Sequence, residues 1–295
     1  MGILVGAETR IICQGMTGRM GTYHAERMID YGTTNLVGGV RPGKGGTKHL
    51  GLPVFDTVAE AMEKTDANAS VIFVPPETVP AAMIEAIEAE LPLLVCVTER
   101  VPVLDMVRVR HALSGSKSRL VGANSQGVLA PGVCKIGVMP TIYERPGRIG
   151  IISRSASLTS EVVEQTSRAM LGQSTTVGIG GDPVHGIGFV ECLELFLADD
   201  GTDGIVMIGE IGGVEEEDAA AYLASTRPSK PVVALVAGRH APPMRRMGHA
   251  GTLTLFGRGD AGAKTEALRN AGVTIAASAD TVGETMRRAL RPGRR

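Results

Sequence analysis

His249 lies in the stretch Arg246–Gly251, where glycines on both sides leave space for a large group to reach its ring nitrogens. Arg245 and Arg246 precede it and carry positive charge suited to a phosphate. A neutral imidazole nitrogen attacks phosphorus readily near neutral pH, so this loop could hold a phosphorylated histidine. An ordinary surface histidine fits the hexapeptide equally well.

A second candidate site is the turn Gly15–Gly21, which follows an apolar run and opens a helical pattern. Such a turn offers free N–H groups and the positive end of a helix dipole to an anion, although it also serves simply for close packing. The next strand is followed by Gly38–Gly46, which contains Arg41 and Lys44 where an NAD site needs an acidic residue. This favours coenzyme A or NADP as the ligand.

Short apolar runs alternate with amphipathic helical patterns, which predicts α/β architecture with parallel sheets. We expect strands at Arg10–Gln14, Asn35–Val40, Ser70–Val74, Leu93–Thr98, Leu120–Gly122, Arg148–Ile152, Ser174–Ile179, Gly204–Gly209, Pro231–Val236 and Thr274–Ala276. We expect helices at Gly18–Tyr31, Thr57–Thr65, Val79–Glu88, Pro102–Ser114, Leu158–Met170, Phe189–Ala198, Glu215–Ser225 and Ala261–Ala271.

A Gly- and Pro-rich stretch without helical period interrupts this alternation before it restarts near residue 145. We therefore predict two doubly wound domains, residues 1–123 and 147–295, joined by a linker at residues 124–146. Ligand sites should lie at the carboxyl ends of the strands.

The composition excludes several classes of protein. A net charge of −1 gives no reason to expect nucleic acid or an anionic membrane as partner. The cysteines are far apart and form no Cys/His cluster, which argues against zinc and disulfides and favours a reducing compartment. No apolar run approaches the roughly 18 residues of a membrane span, and the signal-peptide order is absent. We expect a cytoplasmic protein without a metal site.

Several short motifs, in order and at matching spacing, resemble the α subunit of succinyl-CoA synthetase (succinate–CoA ligase). The small subunit of malate–CoA ligase is the next most similar. The resemblance covers nearly the whole chain and rests on Cys13–Gly18, Gly38–Gly46, His49–Phe55, Ser153–Ser155, Val177–Pro183, Met207–Gly213 and Arg246–Gly251.

The resemblance implies a Rossmann-like CoA-binding domain followed by a flavodoxin-like ligase domain. It also implies a separate ATP-grasp β subunit that holds ATP or GTP with Mg²⁺, and a small dicarboxylate substrate. The implied reaction forms or cleaves succinyl-CoA through a phosphohistidine and an acyl phosphate.

By the same motif match, individual residues acquire expected roles. His249 is the phosphorylated residue, and Glu210 is the glutamate that hydrogen-bonds it. The phosphoryl group would be stabilised by Ser153, Arg154 and Ser155 at a helix start. The expected CoA contacts are Thr17, Gly18, Arg19, Met20, Lys44, Val97, Thr98 and Glu99.

The chain departs from the family pattern around the organic acid. Ser125 and Gln126 replace a usual Cys-Pro, and Ser160 replaces a tyrosine that contacts the acid. An unpartnered buried polar group costs about 1–3 kcal/mol, so we expect these changes to alter which acid fits. Two alternatives therefore stay open: a paralogue acting on malate or another dicarboxylate, and a CoA-binding protein without turnover.

Overall fold

The computed structural model describes residues 2–242, 247–252 and 259–291. The chain forms two compact units. The first comprises Leu4–Met139 and Val184–Ile187, and the second comprises Pro140–Pro183 together with the described residues at the N-terminus and from Gly188 onward. The α/β architecture with mostly parallel sheets agrees with the sequence prediction. Among the described residues, no helix is long and apolar enough to cross a bilayer.

The first unit is built on a sheet that is parallel except for β3, in the order β3 (Lys48–His49), β4 (Leu52–Phe55), β2 (Asn35–Val40), β1 (Arg10–Gln14), β5 (Ala69–Ile72), β6 (Leu93–Cys96) and β7 (Arg119–Val121). Its core contains Ile12, Ile72 and Leu94 from neighbouring strands, and burying each such side chain contributes about 1.5–3 kcal/mol. The elements are β1 (Arg10–Gln14), α1 (Arg19–Asp30), β2 (Asn35–Val40), β3 (Lys48–His49), β4 (Leu52–Phe55), α2 (Val58–Thr65), β5 (Ala69–Ile72), α3 (Val79–Glu88), β6 (Leu93–Cys96), α4 (Val103–Leu113), β7 (Arg119–Val121), β8 (Gly127–Ala130) and β9 (Cys134–Gly137).

In the second unit, parallel strands follow the order β14 (Thr274–Ile275), β13 (Val232–Ala237), β12 (Gly204–Glu210), β10 (Pro146–Ser153) and β11 (Gln173–Gly178). Its core packs Ile151 and Val206 of the sheet against Met286 of the last helix. The elements are β10 (Pro146–Ser153), α5 (Ala156–Arg168), β11 (Gln173–Gly178), α6 (Phe189–Ala198), β12 (Gly204–Glu210), α7 (Glu215–Thr226), β13 (Val232–Ala237), α8 (Ala261–Asn270), β14 (Thr274–Ile275), a 3₁₀ turn (Ala279–Thr281) and α9 (Val282–Ala289).

Three features of the fold are additional to the sequence prediction. The stretch expected to be a linker contains the antiparallel pair β8 and β9, whose residues are all buried. Strands β3 and β4, neither of which was predicted, form a second antiparallel pair. Helix α9 lies beyond the last predicted element and buries Val282 and Met286. The domain boundaries at 1–123 and 147–295 stay a prediction.

Candidate active site

The carboxyl ends of β10 and β12 bring two charged side chains of the second unit together. Ser153, the last residue of β10, pairs in register with Ile208 of β12, and the next N–H, that of Arg154, donates to the Ile208 carbonyl at 3.1 Å. Arg154 therefore emerges beside Glu210, the last residue of β12. Its Nε lies 3.3 Å from Oε1 of Glu210, and both side chains are almost fully buried.

His249 lies in a short loop that is closed by hydrogen bonds of the Thr252 hydroxyl. The Thr252 hydroxyl donates to the carbonyls of His249 and Met247 at 2.7 and 2.9 Å, and its oxygen accepts from the Met247 N–H at 3.0 Å. Thr252 is buried. A buried hydroxyl that satisfies several backbone groups gives this glycine-rich segment a defined conformation.

The imidazole of His249 meets the Glu210 carboxylate directly. Nδ1 of His249 lies 2.8 Å from Oε2 and 3.0 Å from Oε1 of Glu210. The histidine side chain is 31% exposed, whereas that of Glu210 is 8% exposed. A buried carboxylate that accepts from Nδ1–H fixes the tautomer and leaves the lone pair on Nε2 for nucleophilic attack.

The chain after β11 packs against the other side of this histidine. A Cβ atom at Gly181 would collide with the His249 ring, so only glycine admits the imidazole at this distance. Asp182 follows and contributes negative potential at the ring. The neighbourhood of His249 is thus assembled from the carboxyl ends of β10, β11 and β12.

Electrostatics at this site favour the imidazolium form. The hydrogen bond that Nδ1–H of His249 donates to Glu210 raises the pKa of His249 above its ordinary 6.5, whereas partial burial lowers this pKa. The charge of Glu210 raises this pKa further, Arg154 lowers it and Asp182 raises it. A carboxylate that raises the basicity of the ring also makes the neutral ring a better nucleophile.

The three residues expected to bind the phosphoryl group occupy different environments. The Ser153 hydroxyl accepts from the Ser155 N–H and donates to the Ser155 carbonyl, both at 3.0 Å. Ser155 caps α5 by accepting from the Leu158 N–H at 3.3 Å. Arg154 is directed to Glu210 and to Glu215, whose Oε2 lies 3.7 Å from Nη1. The side chains of Ser153 and Arg154 are buried, and their role in phosphate binding stays a prediction.

A cavity of about 570 Å³ opens at the carboxyl ends of β1, β2 and β5 in the first unit. Gly15 makes the turn into this space with a φ of +86°, which glycine adopts without strain. Arg41 is the cation among the lining residues. Glu85 also lines the cavity, so mostly apolar walls are combined with one cation and one carboxylate. Apolar walls with a cation suit a ligand such as CoA, which has apolar and phosphate parts. The lining is Gln14, Gly15, Gly18, Val40, Arg41, Pro42, Phe73, Val74, Pro75, Thr78, Ala81, Ala82 and Glu85.

The residues expected to contact CoA are partly gathered around this cavity. Gly18 lines it, and the Thr17 hydroxyl accepts from Nη1 of Arg41 at 2.7 Å. The Thr98 hydroxyl donates at 2.7 Å to the carbonyl of Val74, which also lines it. The other expected contacts are outside the lining: Arg19, Met20, Lys44 and Glu99 are exposed, and Val97 is half-buried.

The residues that depart from the family pattern are also in different settings. Ser125 is buried, and its hydroxyl accepts from the Gly127 N–H at 2.8 Å. Gln126 is buried as well. Ser160 is half-buried on α5, one turn after the helix start, with its hydroxyl 3.5 Å from the Ala156 carbonyl.

Sequence reasoning did not assign a site role to Thr252, Gly181 or Asp182, which the structure places around the histidine. Arg41, one of the two cations that favoured a phosphate-bearing ligand, lines the cavity. Gly181 and Asp182 belong to Val177–Pro183, one of the motifs that carry the family resemblance. Their place in that motif could have identified them as site residues. Arg245 and Arg246, expected to supply positive charge near His249, lie outside the described residues.

Comparisons with known proteins agree with both units. A family described as CoA binding domain matches residues 7–100, and one described as CoA-ligase matches residues 152–274. The ADP-forming succinate–CoA ligase subunit alpha of Staphylococcus aureus is 46% identical over 97% of this chain and 94% of that protein. The protein of the same name from Aquifex aeolicus is 47% identical over 99% of this chain and 95% of its own length.

Among solved structures, ATP citrate lyase from Methanothrix soehngenii in complex with citrate and coenzyme A superposes with a TM-score of 0.86 at 25% identity. The superposition covers 98% of this chain but only 50% of that one, so the chain spans about half the length of the lyase. Identity over nearly the full length of the curated ligase subunits is the stronger finding. The chain belongs to the family of succinate–CoA ligase α subunits, with a CoA-binding domain followed by a CoA-ligase domain.

Proposed function

We propose that His249 of this chain carries a phosphoryl group between a nucleotide and an organic acid during acyl-CoA formation. The observation that carries this proposal is the pair of contacts from Nδ1 of His249 to the two oxygens of the buried Glu210 carboxylate. This arrangement directs the Nε2 lone pair away from the carboxylate and keeps it available for attack on phosphorus.

The reaction divides into three transfers. Nε2 attacks the terminal phosphorus of a nucleoside triphosphate, so that an N–P bond forms and the P–O bond to the diphosphate breaks. An acid carboxylate then takes the phosphoryl group from His249, which regenerates the neutral ring and gives an acyl phosphate. The CoA thiolate attacks the acyl carbon and releases inorganic phosphate. Throughout these steps, Glu210 holds the Nδ1 proton and stabilises positive charge on the ring.

The subunit name of the curated relatives implies a partner subunit. We propose that this partner is an ATP-grasp β subunit that binds ATP or GTP with Mg²⁺, as the resemblance to the ligase α subunits implies. The metal would neutralise charge on the transferred phosphate. The buried free thiols of the described chain suit a reducing cytoplasm, the compartment we propose.

We propose succinate as the acid, with malate as the next candidate. The curated relatives are named for succinate, whereas the serine at position 160 leaves more room than the tyrosine expected there. Ser160 stands on α5 in the same unit as His249. CoA is proposed to bind in the first unit, with its phosphates over Thr17–Met20 and Lys44 near one of them.

An activity panel tests the proposed function. The chain would be co-purified with its β subunit and supplied with CoA, Mg²⁺, ATP or GTP, and a series of dicarboxylates. We expect acyl-CoA and inorganic phosphate in equal amounts with the complex and no product from the single chain. Binding of CoA without turnover of any acid by the complex would favour the non-catalytic alternative instead.

A further inference from the structure

A fully buried ion pair lies beneath the end of β12 and has no part in the proposed chemistry. Lys264 of α8 and Glu216 of α7 contact each other through Nζ and Oε2, and both residues have no exposed surface. Enclosing two charges is costly even when they are paired. A neutral core of similar volume would stabilise the fold as well, so stability alone does not explain this pair.

Both members of the pair also bind the backbone around Glu210. Oε1 of Glu216 accepts from the Glu210 N–H at 2.9 Å. Nζ of Lys264 donates to the Gly212 carbonyl at 2.6 Å. The two hydrogen bonds therefore hold the chain immediately before and after the residue Ile211, at the point where β12 turns toward the histidine.

The same stretch of backbone is in direct contact with the histidine loop. A Cβ atom at Gly212 would collide with the Gly251 carbonyl, so the two segments touch without side chains between them. The Gly212 N–H also donates at 2.7 Å to the carbonyl of Gly259, which precedes α8. A displacement of Gly212 would therefore move both the end of β12, which carries Glu210, and the loop that carries His249.

We propose that the buried Lys264–Glu216 pair is a positioning element of the phosphohistidine site, which fixes the end of β12 so that the Glu210 carboxylate meets Nδ1 of His249. This inference rests on the proposed function for its catalytic consequence. A fixed backbone amide and carbonyl restrict the position of Glu210 more tightly than side-chain packing alone, because hydrogen bonds to charged partners are short and directional.

The test compares three variants of the full chain. Lys264→Met removes the ammonium, and Lys264→Met combined with Glu216→Gln removes both charges of the pair. The neighbouring Glu217, whose Oε2 lies 3.9 Å from Nζ of Lys264 and whose side chain is 28% exposed, is unchanged in both variants. Lys230→Met is the matched control: Lys230 also donates to two backbone carbonyls in the second unit, those of Phe196 and Asp199, but beside the amino end of β13.

The first readout is the titration of His249 by NMR, with its signal assigned by its loss in His249→Asn. The charged groups facing this ring are Glu210, Arg154 and Asp182. We expect the pKa of His249 to fall in both Lys264 variants, because Glu210 no longer holds the ring, and to stay unchanged in Lys230→Met. An unchanged pKa in a folded Lys264 variant would overturn the proposal.

The second readout is phosphorylation of His249 in the complex with the β subunit. A displacement of about 1 Å can slow a reaction by about 100-fold, so we expect kcat to fall about 10- to 100-fold with little change in KM for the nucleotide. If kcat fell equally in Lys230→Met, the Lys264–Glu216 pair would have a merely structural role. If Lys264→Met does not fold, the double variant is used in its place for both the titration of His249 and the measurement of kcat.

The two hypotheses fail in different ways. If wild-type His249 is never phosphorylated, the proposed function is wrong, whereas the NMR titration still decides whether the pair positions Glu210. If phosphorylation occurs and the titration and kcat of the folded double variant match those of the wild type, only the positioning role is wrong.

Discussion

Replacing Glu210 by glutamine removes the negative charge beside His249 while keeping nearly the same shape. The amide can present its NH₂ group to Nδ1, which would then have to accept, so the ring proton would move to Nε2 and occupy the attacking nitrogen. We therefore expect Glu210→Gln to slow phosphorylation of His249 in the complex. Glu284→Gln is the matched control, since Glu284 pairs with arginines on α9.

The size of the effect follows from the exposure of the two partners. A hydrogen bond with a charged partner contributes about 1.5–3 kcal/mol. The side chain of His249 is 31% exposed and that of Glu210 only 8%, so water competes at one end of the bond. We take about 2 kcal/mol, which corresponds to a rate about 30-fold lower.

The pH dependence gives an independent readout. Glu210 raises the pKa of His249, with a smaller contribution in the same direction from Asp182 and an opposite one from Arg154. Without the carboxylate the ring should lose its proton at lower pH, so the acidic limb of the rate profile should shift toward lower pH. The assay is single-turnover labelling from ³²P-labelled nucleotide across a pH series.

The same linkage affects stability. A raised folded-state pKa stabilises the folded chain fully below the ordinary value of 6.5, and this contribution disappears as the pH rises through the folded-state pKa. The loss of unfolding free energy in Glu210→Gln should therefore be larger at about pH 5.5 than at about pH 9. An acidic limb identical to that of the wild type, together with an unchanged rate, would refute the reasoning.

Three further predictions concern the surroundings of the site. Gly181→Ala should abolish phosphorylation, because its Cβ would collide with the nucleophilic ring, whereas Gly115→Ala, with open space around it, should not change the labelling rate. Lys44→Glu should weaken CoA binding by at most about tenfold in calorimetry, as expected for one screened surface charge, and Lys117→Glu should leave it unchanged. Ser160→Tyr should raise the ratio of kcat/KM for succinate over malate, and an unchanged ratio would remove this residue from the acid pocket.

Much of the fold could be predicted because its elements have clear periodicity. Strands β1 and β2 and helices α3 and α6 have the predicted bounds. The pairing of Glu210 with His249 could also be expected, because the residues belong to motifs that carry the family resemblance and the strand containing Glu210 ends at the ligand edge of a parallel sheet.

Other features had weak or misleading signals. Val282, Met286 and Leu290 are spaced by four and predict one face of α9, but the arginine-rich tail that follows obscured this helix. Strands β8 and β9 are short and lie in a Gly- and Pro-rich stretch. Their pairing requires glycine at both Gly127 and Gly137, which lie opposite each other with positive φ, but these glycines do not stand out in a stretch already rich in glycine.

Two features could not be inferred from one sequence at all. Val184–Ile187 joins the first unit through N–H groups of Gly186 and Ile187 that donate to carbonyls near β7. A Cβ atom at Gly186 would collide with the Leu120 carbonyl, so this contact requires glycine, but a glycine in the sequence does not show which backbone it approaches. Lys264 and Glu216 are 48 positions apart and lie on separate helices. In the sequence pattern of each helix, the charged residue looks like an ordinary surface residue, so neither burial nor pairing is predicted.

The central claim is most directly tested by identifying the phosphorylated residue. The complex with the β subunit would be incubated with labelled nucleotide, and the label on this chain would be located by mass spectrometry and challenged with acid and alkali. We expect the label on His249 alone among the six histidines of the chain, lost in mild acid and stable in alkali, because protonation turns the ring into a good leaving group. His249→Asn should abolish label and net ligation. Persistence of the label in that variant, or its full turnover, would contradict the account.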